Sequence, residues 1–466
     1  MLFILSGFIS ATSQSIFEKI EAGLNSVIYA TAVDEKRNPI KTSVAFLISN
    51  DGLAITSSSL MQNADSLIFH YNNGKPVELN RIVACHHQAD LVLLHFKTSK
   101  NHNFFTPSKS AYDGNGEILA FVNKTDSKDG LSYGKIEKVQ NCIAGGRIAS
   151  VQLQNGETSD CAPVIDSSGE LIGIYRFTES NKTKFLLPVT IIADTAWVSI
   201  NQTWSKFKKN PDREYLTTHI FLSAIIHIFE KNWVEAANKI TLIIKYEPEN
   251  AYLYGIRAFC RYKYGNSAGG NSDFLQAKTL NPKEHISLYS RAIYYLSENN
   301  YQKALADLFD IVEIKPDFAE AFVEIGKIQV NRNEIQKAYA SFSHSIKTDS
   351  IIAEAWYERG KLLLKHSSNI ENALNDLSTA AKLNPGLDGI FSIIGNVKIK
   401  QKKYLEAILD LDKALKQNPE DMHALMDRAT ANYNAGLTSR ACADWEQASK
   451  KGNLQAVRFL SSYCGK

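Results

Sequence analysis

A 34-residue period runs through the C-terminal half of the chain and restricts what that half can fold into. Seven units follow one another at intervals of 34 residues, apart from a single interval of 35. The units end at Pro248, Pro282, Pro316, Ser350, Pro385, Pro419 and Asn453. Twelve residues before each end stands a small residue, at Ala236, Gly270, Ala304, Ala338, Ala373, Ala407 and Ala441. A fixed period of this length predicts stacked supersecondary units, each burying its apolar face against its neighbours.

Each unit also carries a small residue near its start, and the two small positions together predict a helical hairpin. This second set comprises Ala224, Ala258, Ala292, Gly326, Gly360, Gly395 and Ala429. Small side chains let two antiparallel helices approach closely, and a proline at the end of a unit begins the next turn. The pattern resembles the tetratricopeptide repeat. We therefore expect residues 214–466 to form an all-α array of seven repeats, closed by a cap helix from Leu454.

The resemblance to tetratricopeptide repeats implies a protein-binding scaffold. In that family the first helices of the repeats line a concave groove that holds an extended peptide or a partner helix. The predicted groove residues are Phe221, Tyr252, Phe259, Tyr262, Tyr289, Ile293, Lys327, Tyr357, Lys361, Asn396, Met426 and Tyr433. Aromatic side chains suit the anchoring of a protein partner. One subtype grips a C-terminal carboxylate with a Lys and an Asn four residues apart, and no first helix here has that pair.

Short β-rich runs divided by turn residues make up the N-terminal half. The clearest runs occupy residues 26–33, 43–48, 66–71 and 91–96. Turn pairs such as Asp51-Gly52 separate them. Many short strands with this punctuation predict an all-β sandwich or barrel.

Four segments of this half, taken in order, resemble the trypsin-like proteases of the HtrA group. They are residues 44–60, 89–94, 158–174 and 184–189. In the family these segments carry the catalytic histidine, the catalytic aspartate, the nucleophile loop and the closing strand. The resemblance covers residues 16–198 and implies a trypsin-like double β-barrel. The expected fold class is therefore a multidomain β + α chain, with this barrel domain before the tetratricopeptide solenoid.

The positions that carry chemistry depart from the family pattern. Ser59 stands where the resemblance expects histidine, Asp160 stands where it expects the nucleophilic serine, and only Asp90 matches. A serine hydroxyl cannot accept a proton near neutral pH, so Ser59 cannot be the general base. A carboxylate at 160 opposes the negative charge that an oxyanion hole stabilises, and the missing loop glycines remove freedom to reach positive φ. We predict a pseudoprotease with no catalytic residue, metal or cofactor.

Two alternatives use other side chains near these positions. Cys161 with His86 or His87 would make an active serine- or cysteine-type peptidase with a displaced catalytic set, to which the repeats recruit substrate. His86, His87, Asp90 and Asp160 could in principle hold a metal ion. Neighbouring residues of a strand point to opposite faces, so adjacent histidines rarely reach one ion. A buried thiol and ordinary core or surface histidines are the favoured interpretation.

The net charge and the N-terminal residues indicate which partners and which cellular compartment to expect for the protein. A net charge of +3 over 466 residues gives no basic face for nucleic acid. No apolar run after the N-terminus is long enough to span a bilayer. Residues 1–15 have a short apolar core followed by small residues, and we interpret them as a secretory signal peptide cleaved near Ser10 to Ser13. A periplasmic or secreted protein is therefore expected, and a cytoplasmic protein is the alternative.

Two smaller expectations concern the join and the C-terminus. Residues 199–213 are polar and are interpreted as a connector between the two domains. Cys442 and Cys464 could pair as a disulfide in an oxidising compartment, although two buried thiols are the favoured interpretation.

Overall fold

The computed structural model describes residues 13–86, 89–98, 103–108, 117–122, 127–142, 146–154, 159–178, 183–193, 197–209, 213–366 and 369–465. The chain divides into two compact units, residues 1–310 and 311–466. The first unit contains the described strands and the first helices. The strands are β1 (Val27–Val33), β2 (Pro39–Leu47), β3 (Leu53–Ser57), β4 (Ser66–Tyr71), β5 (Glu78–His86), β6 (Leu91–Lys97), β7 (Glu117–Phe121), β8 (Leu131–Cys142), β9 (Gly146–Leu153), β10 (Ala162–Ile165), β11 (Leu171–Thr178), β12 (Thr183–Pro188) and β13 (Trp197–Gln202).

Antiparallel pairing assembles these strands into two sheets, each with its own core. Seven strands form a sheet in the order β13-β5-β6-β3-β2-β1-β4, and six close into a barrel in the order β10-β11-β12-β9-β8-β7. Ile28, Ala30 and Ala32 of β1 point into the first core, because successive strand residues face opposite sides. Ile118 and Ala120 of β7 do the same in the second. The expected trypsin-like β architecture is confirmed.

The turn predicted at Asp51-Gly52 joins β2 to β3. Gly52 has φ +97°, and a Cβ there would lie 2.7 Å from the carbonyl oxygen of Phe96. Only glycine fits this position, since a side chain would be strained by the backbone and would clash with β6.

The join between the domains differs from the expectation. Residues 199–213 are not simply a connector, because β13 pairs with β5 and helix α2 (Trp204–Lys209) follows it. Phe207 of α2 is buried in the core of the seven-stranded sheet, and Trp204 packs against the same core. The segment was predicted to be a connector because most of its residues are polar, but Trp204 and Phe207 attach it to the β domain.

The N-terminus also adds an element that the sequence did not indicate. Helix α1 (Ser13–Ser26) precedes β1, and Ile20 on it is buried. Residues 1–12 of the predicted signal peptide, with most of its expected cleavage region, lie outside the described residues. The helix begins at Ser13, the last residue of that region.

Helix pairs follow at the predicted period. The first six helices are α3 (Arg213–Phe229), α4 (Trp233–Ile244), α5 (Ala251–Lys263), α6 (Ser267–Leu280), α7 (His285–Ser297) and α8 (Tyr301–Ile314), and the boundary after residue 310 falls within α8. In the second unit they are α9 (Ala319–Asn331), α10 (Ile335–Thr348), α11 (Ala353–His366), α12 (Ile370–Leu383), α13 (Ile390–Lys400), α14 (Tyr404–Gln417), α15 (Met422–Asn434), α16 (Thr438–Lys450) and the cap helix α17 (Leu454–Tyr463). The expected helical-repeat architecture is confirmed. Within the described ranges, no helix is both long and apolar enough to cross a bilayer.

The small residues of the repeat occupy close approaches between paired helices. A Cβ on Gly326 of α9 would lie 2.5 Å from the Phe342 ring of α10. A Cβ on Gly395 of α13 would lie 2.5 Å from Leu411 Cγ of α14. The period in the sequence is therefore the period of these helix–helix contacts.

Cys442 on α16 and Cys464 after α17 form a disulfide, with their Cα atoms 5.9 Å apart. The favoured expectation of two buried thiols is wrong for this pair. Helix α17 folds back against α16, and this return brings together two cysteines separated by 22 positions. Among the other described cysteines, Cys85, Cys161 and Cys260 are buried and are not in a disulfide.

Candidate functional site

The site expected from the sequence lies where segments of the two sheets meet. Ser59 lies on a short 3₁₀ turn, Ser58–Met61, directly after β3. Asp90 immediately precedes β6, and Asp160 comes shortly before β10. The structure brings all three residues into one hydrogen-bonded cluster. A fourth residue, Arg176 on β11, lies at its centre.

The Arg176 guanidinium connects the two carboxylates. Its Nε donates to Asp160 Oδ1 at 2.8 Å and its Nη2 to Asp160 Oδ2 at 3.2 Å. Nη2 also donates to Asp90 Oδ2 at 2.8 Å and to Ser57 Oγ at 3.1 Å. Nη1 donates to the carbonyl oxygens of Ala89 at 2.6 Å and Asp90 at 3.2 Å. A planar, permanently charged group with five donors is suited to holding two carboxylates at once.

Asp160 is held on both its side chain and its backbone. Its Oδ1 accepts a further hydrogen bond from the backbone N–H of Phe177 at 3.2 Å. Its carbonyl oxygen accepts from Val44 N at 3.0 Å and from Ser43 Oγ at 3.1 Å. Burial raises the pKa of Asp160, but the charge and hydrogen bonds of Arg176 outweigh it and leave the pKa below its ordinary value. Asp160 is therefore an ionised carboxylate at neutral pH.

Asp90 accepts hydrogen bonds from two hydroxyl groups, one at the end of β3 and one at the start of the 3₁₀ turn that follows. Ser57 Oγ donates to Asp90 Oδ2 at 3.1 Å, and Ser58 Oγ donates to Asp90 Oδ1 at 2.5 Å. Its carbonyl oxygen accepts from Ser58 N at 3.0 Å. Each carboxylate oxygen thus has a partner, as a buried charge requires.

Ser59 is linked to the same cluster through a second cation. Lys41 Nζ donates to Ser59 Oγ at 2.6 Å, and Ser59 Oγ lies 2.7 Å from Ser57 Oγ. Lys41 and Arg176 balance the formal charges of Asp90 and Asp160. In this arrangement Ser59 connects a lysine to a hydroxyl chain and supplies no proton acceptor comparable to imidazole.

The backbone beside Asp160 corrects one expectation. Loss of the loop glycines was expected to prevent positive φ, yet Cys161 has φ 60° and Asp90 has φ 53°. Left-handed conformations are uncommon for residues other than glycine and occur where the surroundings enforce them. Here the hydrogen bonds to the carbonyl oxygens of Asp160 and Asp90 fix the two neighbouring segments.

Cys161 and His86 have environments that differ from those of a nucleophile and its base. Cys161 is fully buried, and burial raises the pKa of its thiol well above the ordinary value. His86 is buried with its ring 5.4 Å from that of Trp197, and its Nδ1 accepts from Ala89 N at 3.2 Å. His87 lies outside the described residues. Among the residues that the structure describes, no group of three or more His, Cys, Asp or Glu has metal-binding geometry.

The cluster is closed to solvent. The relative exposures are 2% for Asp90, 5% for Asp160, 2% for Arg176 and 7% for Ser59. Helix α3, the first of the array, packs against the 3₁₀ turn that carries Ser59 and against β8. A peptide could reach these side chains only after the surrounding structure moved.

The predicted groove residues fall into three groups. Phe221 and Tyr262 are buried within the first unit, and Tyr262 donates its hydroxyl to Asn271 at 2.9 Å. They are therefore packing residues, which corrects their assignment. Tyr433 is 38% exposed, but its ring lies 4.7 Å from that of Tyr463 on the cap helix. The remaining nine are half-buried: Tyr252, Phe259, Tyr289, Ile293, Lys327, Tyr357, Lys361, Asn396 and Met426.

Charged partners already engage several of the half-buried residues. Lys327 Nζ lies 3.0 Å from Glu324 Oε1 and 2.5 Å from Glu354 Oε1. Lys361 Nζ lies 2.9 Å from Glu358 Oε1. Lys327 and Lys361 are thus salt-bridged within the array and do not offer free positive charge to a partner.

Arg176 is the functional-site residue that sequence reasoning missed. A signal was present, because an arginine interrupts the otherwise apolar run 171–177 of a predicted hairpin strand. A charge inside an apolar strand requires a buried partner. Within the repeats, ion pairs of 2.6–2.7 Å join arginines to aspartates 16 residues further along the chain, at Arg257–Asp273, Arg291–Asp307 and Arg428–Asp444.

The two architectures define the class of protein: a trypsin-like β domain followed in the chain by α-helical repeats. Residues 44–174 match the family model of the trypsin-like peptidase domain, and residues 394–453 match a tetratricopeptide repeat model. The chain therefore contains a trypsin-like peptidase domain and tetratricopeptide repeats.

Three known proteins show partial similarity. Sperm-associated antigen 1 of Homo sapiens is 28% identical over 99 residues, which are 21% of this chain and 11% of that protein. The structure of pilF from Pseudomonas aeruginosa aligns at a TM-score of 0.40 and 13% identity, over 45% of this chain and 96% of its own. A serine endoprotease from Yersinia pestis aligns at a TM-score of 0.32 and 14% identity, over 40% of this chain and 65% of its own.

Proposed function

We propose that this chain is a non-catalytic interaction scaffold, in which a trypsin-like domain without peptidase activity precedes a protein- or peptide-binding repeat array. The observation that carries the first part is the position of Arg176. Its guanidinium donates to Asp90, Asp160 and Ser57. Serine-type hydrolysis needs a hydroxyl beside a base that accepts its proton. Here the arginine holds both carboxylates, and the nearby hydroxyls are engaged with lysine, arginine or aspartate.

The alternative of a displaced catalytic set at Cys161 has less support. A cysteine nucleophile must be a thiolate in an accessible, electropositive setting. Cys161 is fully buried, and the pKa of its thiol is raised well above the ordinary value by burial. These properties favour a packing role for the residue.

Peptidase activity can be tested on the full-length protein with fluorescein-labelled casein and a fluorophosphonate probe. We expect no hydrolysis and no labelling from the wild type. Asp160→Ser should also be inactive, because Ser59 still supplies no base. Hydrolysis by Asp160→Ser would overturn this interpretation of the site. Wild-type hydrolysis that Cys161→Ala abolishes would establish the alternative instead.

Support for the second part of the proposal comes from the first helices of the second unit. Tyr357 and Met426 are half-buried aromatic and thioether side chains, which suit the anchoring of a partner. Tyr357 is positioned by a 2.8 Å hydrogen bond from its hydroxyl to the Asp388 carbonyl and by Lys361 Nζ, 4.5 Å from its ring centre. A rigid aromatic residue loses little entropy when a partner binds.

Photo-crosslinking can test which face of the array binds. A benzophenone amino acid is placed at position 357 on a first helix, and at position 405 on a second helix as the matched control. Leu405 is 67% exposed, so the control position is more accessible than Tyr357. We expect partner adducts from 357 and not from 405. Adducts from 405 alone would contradict binding on the first-helix face.

We also propose that the protein works in an oxidising compartment, either periplasmic or secreted. The Cys442–Cys464 disulfide supports this, since disulfides persist outside the cytosol and are rare within it. Native cells can be quenched with acid and their thiols alkylated before and after reduction. We expect Cys442 and Cys464 to be alkylated only after reduction. Alkylation of both without reductant would favour the cytoplasmic alternative.

A further inference from the structure

The cap helix α17 closes the last repeat with an apolar face. Ala456 is buried together with Leu425, Ala441 and Trp445, and Phe459 and Leu460 pack against the same cluster. The opposite face of the helix is exposed, with Leu454 76% and Val457 49% accessible. Contacts along one side therefore hold α17 to the array.

A group of four aromatic rings takes part in that contact. The Trp445 ring lies 5.2 Å from Phe459 and 5.9 Å from Tyr463. Tyr433 on α15 lies 5.7 Å from Trp445 and 4.7 Å from Tyr463. Tyr433 is a first-helix residue of the last repeat, so the cap partly covers the final position of the predicted groove.

Helix α17 has little stability of its own. It has 10 residues, and isolated helices shorter than about 12–15 residues are marginal in water. Only residues 451–453 connect it to α16, and Gly452 among them has φ +88°. The disulfide fastens the other end, because Cys464 is the C-cap residue of α17. Both cysteines are only half-buried, so a small reductant can approach them.

We propose that the Cys442–Cys464 disulfide is a redox latch on the C-terminal cap of the array. A dithiol reductant transfers two electrons and two protons to the bond, which becomes two thiols while the dithiol becomes a cyclic disulfide. Helix α17 then opens about the 451–453 connection. Opening removes Tyr463 from Tyr433 and exposes Trp445 at the end of the array. The latch concerns the last repeat alone and does not depend on which partner the array binds.

Hydrogen exchange read by mass spectrometry on the full-length protein tests the latch. Exchange is compared between the native protein and the same protein treated with dithiothreitol, then again after reoxidation. We expect amides of residues 456–463 to exchange about 100-fold faster after reduction, because the closed loop no longer restricts opening. Amides of α12 should not change, and reoxidation should restore slow exchange.

The double variant Cys442→Ala/Cys464→Ala is the matched control, because it has no latch to open. It should exchange rapidly at 456–463 with or without dithiothreitol. Equal protection of α17 in reduced and oxidised wild type would overturn the proposal, since packing alone would then hold the cap. An effect of dithiothreitol on α17 in the double variant, or failure of reoxidation to restore protection, would overturn it as well.

Discussion

Replacement of Arg176 by leucine is the sharpest perturbation that the structure offers. Leucine keeps an apolar stem at this position of β11, yet it removes a cation that makes six hydrogen bonds to two carboxylates, one hydroxyl and two carbonyl oxygens. Asp90 and Asp160 would remain in place, 2% and 5% exposed. The variant therefore leaves two like charges buried near each other with one remaining half-buried cation, Lys41.

The expected loss of stability follows from the burial of Arg176 and its two carboxylate partners. Breaking a buried ion pair by removing one partner costs about 3–5 kcal/mol, because the other charge is left without compensation. We expect Arg176→Leu to destabilise the β domain by about 4 kcal/mol at pH 7, which is roughly a 1,000-fold change in its opening equilibrium. Replacing the carboxylates as well removes the buried charge. The triple variant Arg176→Leu/Asp90→Asn/Asp160→Asn should therefore recover much of the loss.

The multidomain chain calls for an assay that reports on the β domain alone. Hydrogen exchange of peptides from β3, β6 and β11 is followed as a function of urea, with peptides from α12 and α14 as an internal reference. Loss of protection confined to the strands is the expected result for Arg176→Leu. A change below about 1 kcal/mol, or a triple variant weaker than the single one, would refute the view that uncompensated charge is the cause.

Three further predictions follow from other contacts. The pKa of Asp160 is lowered in the folded state, so its contribution to stability is complete above the unfolded pKa of about 3.9 and is lost as the pH falls through the folded pKa. Hydrogen-exchange protection of the strands should therefore drop only below about pH 4 in the wild type. Arg176→Leu should instead gain stability on acidification from pH 7, and hydrogen exchange measured at stepped pH checks both expectations. Gly326→Ala should cost about 1–3 kcal/mol, measured as a shift in the urea midpoint of α9–α10 peptides, because the new Cβ would lie 2.5 Å from the Phe342 ring. Arg359→Met should cost about 3 kcal/mol in the same assay on α11–α12 peptides, because Asp376 is 5% exposed and its carboxylate would lose hydrogen bonds of 2.7 and 2.8 Å from the guanidinium. The double variant Arg359→Met/Asp376→Asn should be destabilised less than the single variant, since the buried charge is also removed.

Elements with a strong local pattern were predictable from the sequence. The 34-residue spacing of small residues gave the helix pairs, because close helix packing at Gly326 and Gly395 excludes larger side chains. The turn at Asp51-Gly52 was predictable for a similar reason, since its backbone conformation suits only glycine. In each case a small residue or glycine is required by a local feature of the backbone, so its position in the sequence indicates that feature.

Elements whose role depends on distant partners were not predictable. Residues 199–209 appear polar in sequence, and only pairing of β13 with β5 and burial of Phe207 make them part of the β domain. The Cys442–Cys464 pair was open in sequence, because the bond depends on α17 turning back onto α16. The burial of Phe221 and Tyr262 was not predictable either, since it depends on the neighbouring elements that pack against them.

The sequence by itself determined the two architectures and the identities of Ser59, Asp90 and Asp160, because repeat spacing and motif order are properties of the linear chain. Only the tertiary structure decided what those side chains do together. Arg176 lies 86 residues from Asp90 and 16 from Asp160, and the fold alone places its guanidinium between them. The physical reason is desolvation: two buried carboxylates need compensating charge, and the partner that supplies it can come from any part of the chain that the fold brings near.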